Sequence, residues 1–146
     1  RLAGARCVKY YPDKNQVSNN AGNDVIVFRL ADVLLMKAEA ILQGATNGTA
    51  VEALAAANEV RKRAFPVNPE KYFTLGTLTL DAIYKERGLE FTFEVTRRTD
   101  MIRFGKWEEA MLFKPANPSE TYKRLCPIPA RARTNNPSLS QNDGYN

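Results

Sequence analysis

Arg87 and Glu94 stand inside an apolar helical stripe, and this constrains the fold more than any other feature of the chain. On a wheel of 100° per residue, Leu80, Ile83, Tyr84, Phe91 and Val95 fall on one face of the segment that begins near Leu80, and both charges fall within that face. Leu89 and Phe93 point the opposite way, so the helix is expected to be covered on two sides. An isolated ion does not stay charged in such surroundings, because desolvation costs too much. Arg87 and Glu94 lie about 10 Å apart along a helix axis, too far to satisfy each other, so each must find a partner on another segment. Glu39 and Arg61 interrupt the apolar runs of two earlier helices in the same way. The sequence therefore predicts a bundle in which Glu39, Arg61, Arg87 and Glu94 form ion pairs between helices.

The helices themselves are readable. Residues 29–43, RLADVLLMKAEAILQ, are strong helix formers, apolar almost all round and broken chiefly by Asp32, Lys37 and Glu39. Such a helix is covered on more than one side. Gly44 suits the left-handed position after its end. Thr49-Ala50-Val51-Glu52 has the spacing of a capping box and opens a second helix. That helix ends before Phe65-Pro66, since a residue preceding proline avoids the α region. The pair spans 36 residues, close to one tetratricopeptide-type repeat of about 34. Thr77 or Thr79 caps a third helix to about Val95, and a short helix over 98–104 ends at Gly105. Trp107 and the following EEAMLF add a further turn. Residues 1–28 read as an irregular segment, 29–110 as the helical region and 111–146 as an extended tail packing on the helices. The tail is rich in proline and asparagine.

Composition narrows the chemistry. The 146 residues are 44% hydrophobic and 25% charged, which fits one domain with a core rather than a disordered chain. There is no histidine, so the commonest general base and metal ligand is missing. Cys7 and Cys126 form no metal-binding grouping, and they could pair only in an oxidising compartment. No cofactor or metal site is expected. The opening RLAGARC resembles a bacterial lipid-attachment signal but places two residues between Gly4 and Cys7 and has no apolar stretch before it. The chain reads as a mature domain or a piece of something longer.

Two functional alternatives were open to the charged segment. Glu86, Glu90 and Glu94 repeat every four residues, about 6 Å apart, near the spacing of glycosidase carboxylates. They share one helix side, however, and cannot flank a substrate. Arg97, Arg98, Arg103, Lys106 and Trp107 could serve a nucleic acid through charge and stacking, but Asp100, Glu108 and Glu109 interleave with them. The net charge of +5 is a mildly basic surface, since residues 29–84 balance six basic against six acidic groups. These readings leave a binding or structural protein rather than an enzyme, with a helical protein-interaction module and a weak polyanion binder as alternatives.

Five segments in order carry a family resemblance. RLADVLLMKAEA (29–40), NEVRKRA (58–64), DAIYKERGLEFTFE (81–94), the run Arg97…Asp100-Met101…Arg103…Gly105, and LCPIPARARTNNPSLSQNDGYN (125–146) resemble the signatures of SusD/RagB-type outer-membrane nutrient-binding lipoproteins. Thr96 stands where that family usually has His, Arg98 where it has an aromatic, Lys37 where Tyr is common, and Ala132 and Arg133 where the tail usually has Glu and Ile. The resemblance implies a mainly α fold with a tetratricopeptide-like helix pair, of which this sequence looks like the C-terminal portion. It implies no enzymatic activity and no cofactor. It further implies capture of glycans or other nutrients at the extracellular face of the outer membrane. The partners would be a SusC-like TonB-dependent transporter and an upstream, lipid-anchored part of the same protein, with no nucleic acid. No ligand residue carries over from the family. Trp107, Tyr122 and Tyr145 are candidate sugar-stacking platforms, with core or strut roles as the plainer reading.

Overall fold

The computed structural model describes residues 8–11, 13–15, 22–110 and 119–145. Among them all regular structure is helical, as the apolar periodicity requires. The chain divides into two compact units, Arg1–Val95 and Thr96–Asn146.

The first unit is built on α1 (Leu30–Leu42), α2 (Ala50–Ala64) and α3 (Leu80–Glu90). α1 packs against both others. The expected capping box is present: Thr49 Oγ1 accepts from the Glu52 amide at 3.3 Å, and Glu52 Oε2 accepts from the Thr49 amide at 2.8 Å. Thr79, not Thr77, caps α3, accepting from the Ala82 amide. Ala53, Ala56 and Ala57 of α2 are buried together with Leu35 and Ala38 of α1 and Ile83 of α3. Small side chains on α2 let a neighbouring helix approach closely, and Leu35 and Ile83 supply the bulk that fills the interior. Each buried aliphatic of that size contributes about 1.5–3 kcal/mol.

Two expectations are corrected here. The third helix stops at Glu90 rather than near Val95, and residues 91–95 form a turn instead. Phe93 and Val95 take positive φ, 66° and 63°. For a β-branched residue this is a true outlier, with a cost of about 1–2 kcal/mol. What holds the turn is Glu94, whose carboxylate is drawn onto the Arg29 guanidinium and the Lys9 ammonium. Replacing Val95 by Gly is therefore expected to raise stability by about 1 kcal/mol, since the side chain is 93% exposed and has no packing to lose. Thermal melting of the variant checks this, and a lower melting temperature would contradict it.

The second correction concerns coverage. Leu89 (75% exposed) lies open on the outer side of α3 and Phe93 (71%) in the turn after it, as do Leu30 (70%), Val33 and Met36 on α1. Both helices are covered on one side by the described residues, not on two. Three helices packed around one interior necessarily leave outer faces.

The second unit contains α4 (Arg97–Arg103), a single 3₁₀ turn at Thr121–Arg124, and α5 (Ala130–Asn135). Gly105 follows α4 with φ 68°, the left-handed conformation that lets the chain turn away. Among the described residues of the expected extended tail, irregular backbone alternates with the 3₁₀ turn, α5 and turns at 137–138 and 143–144. Its amide side chains do the work of missing backbone partners. Gln141 accepts from the Ile128 amide and donates to the Ile128 carbonyl, at 2.7 and 3.1 Å. Asn142 Nδ2 donates to the Cys126 carbonyl at 2.7 Å, and Tyr145 Oη donates to that of Leu125 at 2.8 Å. Cys126 is exposed, whereas Cys7 and residues 111–113 of the expected turn after Trp107 lie outside the described residues.

Candidate functional site

The first unit is held by a set of buried and half-buried ion pairs. Arg87 Nη1 on α3 donates to Asp32 Oδ1 on α1 at 2.8 Å, and the two side chains are only 3% and 10% exposed. Arg61 Nη1 on α2 donates to Glu86 Oε2 on α3 at 2.6 Å. Arg63 Nη2 donates to both oxygens of Glu90 at 2.7 Å. Arg29, just before α1, donates to Glu90 and, through Nε and Nη2, to both oxygens of Glu94 at 2.9 Å. Aromatic faces complete the arrangement: the Arg29 and Arg87 guanidinium carbons lie 4.7 and 4.9 Å from the Phe91 ring centre, and that of Arg61 lies 4.4 Å from that of Phe73.

The ion pairs between segments expected from the apolar stripes exist, with different pairings. Arg61, Arg87 and Glu94 each hold a partner on another segment, and those partners are Glu86, Asp32, and Arg29 with Lys9. Glu39 is buried and accepts from Gln43 Nε2 one turn onward. Sequence reasoning missed Lys9, Arg29, Asp32, Arg63, Glu86 and Glu90 as members. Arg29 sits at a helix end and Arg63 is largely exposed, so neither interrupts an apolar face. Helix periodicity alone carried no signal for them.

Electrostatics follow from the pairing. Burial pushes the Glu94 carboxyl up, but hydrogen bonds from Arg29 and Lys9 and their charges outweigh it and hold the group below the usual carboxylate range. For Glu86 the balance is reversed. Burial pushes it above its ordinary value, and the Arg61 charge offsets this only in part, with Glu90 adding repulsion. The three glutamates weighed as catalytic carboxylates thus each face a guanidinium. Their geometry is that of acceptors clamping helices.

Of the residues weighed for nucleic acid, Arg98, Arg103, Lys106 and Trp107 are engaged within the second unit, and Arg97 opens α4. The Arg98 guanidinium lies 4.9 Å from the Trp107 ring centre and donates to the Lys123 and Arg124 carbonyls. Arg103 pairs with Asp100, and Lys106 with Glu109. Trp107 Nε1 donates to the Glu120 carbonyl at 3.3 Å, so Trp107 ties the tail to the turn after α4.

The tyrosines occupy different positions. Tyr145 meets Tyr122 edge to face, with centroids 5.0 Å apart and planes at 81°, and acts as a strut through its hydroxyl. Tyr122 lies along an open cavity of about 590 Å³ together with Ile102, Leu125, Arg124, Asn142 and Asp143. Gly144 presses its backbone against the Tyr122 ring, where a Cβ would come within 2.4 Å of Cγ. Glu108 holds Arg124 through two hydrogen bonds, at 2.6 and 2.7 Å. A second cavity of about 310 Å³ lies between α1 and α2, lined by Leu30, Leu34 and Val60 with Arg29 and Arg63.

Known proteins share this framework. The chain is 32% identical over 129 residues to the starch-binding protein SusD of Bacteroides thetaiotaomicron, covering 84% of this chain and 22% of that protein. It is 36% identical over 137 residues to SusD-like protein P25 of Formosa agariphila, covering 87% and 25%. Among solved structures, a SusD superfamily protein from Bacteroides vulgatus superposes with a TM-score of 0.70 at 30% identity, covering 92% of this chain and 30% of that one. Surface glycan-binding protein A from Bacteroides thetaiotaomicron, in complex with laminarihexaose, superposes with a TM-score of 0.69 at 33% identity, covering 84% and 26%. The chain thus spans about a quarter of the length of these relatives. The SusD family model matches residues 4–145, nearly the whole sequence, and on this ground the chain belongs to the SusD family.

Proposed function

We propose that this chain is part of a SusD-like cell-surface protein that captures glycans or other nutrients and delivers them to a TonB-dependent outer-membrane transporter. The observation that carries this reading is the match to the SusD family over residues 4–145, joined to one-third identity with a surface glycan-binding protein solved with laminarihexaose. The protein acts by binding and not by catalysis, with Glu86, Glu90 and Glu94 serving as clamps. It sits on the extracellular face of the outer membrane, anchored by lipid on an upstream part. The open apolar row of Leu30, Val33 and Met36 on α1, and the cavity beside it, receive other helical segments of the longer protein. This also accounts for the surface that would otherwise favour a free-standing interaction module.

The test uses the intact protein. Titration calorimetry with laminarihexaose, maltohexaose and a broader set of neutral and acidic oligosaccharides is expected to give saturable binding by at least one. Purification from solubilised outer membranes is expected to bring a TonB-dependent barrel with it. Flat heats across the whole set would overturn glycan capture, and absence of the barrel would overturn delivery.

A further inference from the structure

We infer that the groove of the second unit, between the 3₁₀ turn at 121–124 and residues 141–143, is a subsite for a neutral oligosaccharide. This rests on the glycan-capture reading and goes beyond it by naming a surface and a charge class. The cavity of about 590 Å³ is within the usual range for ligand sites, which combine apolar walls with a few polar groups. Its walls are of the kind that packs against the C–H face of a pyranose: Tyr122, Ile102 and an exposed Leu125.

The walls are fixed before any ligand arrives. Tyr122 is set by the edge-to-face contact with Tyr145 and by Gly144 against its ring. Gln141 and Asn142 are locked onto the Ile128 backbone and the Cys126 carbonyl. A site held this way loses little entropy on binding. Asp143, exposed at the rim, offers two carboxylate oxygens to sugar hydroxyls. A hydroxyl donating to a charged acceptor makes one of the stronger hydrogen bonds.

The charge balance selects the class of sugar. Arg124 is neutralised by Glu108, and the neighbouring Lys123 is paired with Glu120. Among the residues that line the groove, Arg124 is the one cation and Glu108 pairs with it, which leaves the Asp143 carboxylate as the charge a ligand meets. Uronate or sulfate groups would face that carboxylate and no unpaired cation of the lining, so acidic glycans are disfavoured.

The experiment is nuclear magnetic resonance titration of the intact protein with laminarihexaose, maltohexaose, xylohexaose and mannohexaose, and with a hexameric galacturonate. At least one neutral hexaose is expected to shift resonances of residues 121–125 and 141–145. Asp143→Ala and Leu125→Ala alter exposed side chains, so the melting temperature should be retained. Each is expected to weaken that binding about tenfold, the factor that corresponds to the loss of roughly one such hydrogen bond or apolar contact. Binding by a neutral hexaose that shifts other residues and survives both substitutions would overturn the subsite while leaving glycan capture standing. Preference for the galacturonate would overturn the charge argument. No binding by any of the neutral hexaoses would overturn the subsite, while glycan capture falls only with flat heats across the broader set of neutral and acidic oligosaccharides.

Discussion

Arg87→Met is expected to lower the unfolding free energy by about 3–5 kcal/mol, the usual cost of breaking a buried ion pair by removing one partner. Arg87 bridges α3 and α1 through Asp32, and neither side chain has more than marginal access to water. Methionine keeps the apolar stem but leaves a carboxylate in the interior. The loss comes less from the missing attraction than from that stranded charge. The companion variant separates the two. In Arg87→Met with Asp32→Leu neither member of the pair remains charged, and buried pairs replaced by apolar residues of similar volume are often neutral or better. Much of the lost stability should return. Denaturant unfolding of the two variants beside the parent measures both. A single variant within about 1 kcal/mol of the parent, or a double variant no better than the single, would sink the account of the clamp as buried and charged.

Gly144→Ala should cost about 2–5 kcal/mol, in the second unit. Two separate terms add. Gly144 has a φ of 84°, and an alanine held there bears about 1–2 kcal/mol of strain. Its Cβ would also come within 2.4 Å of Tyr122 Cγ and 2.7 Å of Cδ2. The ring cannot swing aside freely, because Tyr145 packs against it edge to face. Overpacking of this kind typically costs a further 1–3 kcal/mol. Gly105 provides the control. It too has positive φ, 68°, but a Cβ there meets nothing within 4 Å. Gly105→Ala should therefore show the backbone term alone. Hydrogen exchange of the second unit, measured on both variants, should show faster opening around Tyr122 and Tyr145 only for Gly144→Ala. Equal losses from the two substitutions would mean that the contact with Tyr122 has no energetic weight.

The capping box at Thr49, the end of α2 before Pro66 and the turn at Gly105 were all legible in the sequence, because each depends on residues within one turn of each other. The groove beside Tyr122 was not. It is assembled from positions 102, 121–125 and 141–143, which approach only because Gln141, Asn142 and Tyr145 reach across to the backbone of residues 125–128. No local pattern marks Asp143 as a rim group. Tyr122 was picked out only as one aromatic among three.

The same division runs through the clamp. Desolvation dictated that Arg87 must be paired, because a charge in an apolar helical stripe has no other stable state, whereas Glu94 finds its partners from the turn after α3 and not from the stripe on which the sequence placed it. Which residues answer them, and where α3 yields to the strained turn that brings Glu94 onto Arg29, was decided by packing. Partner choice depends on distances between segments dozens of residues apart, and a one-dimensional pattern contains the demand for a partner but not its address.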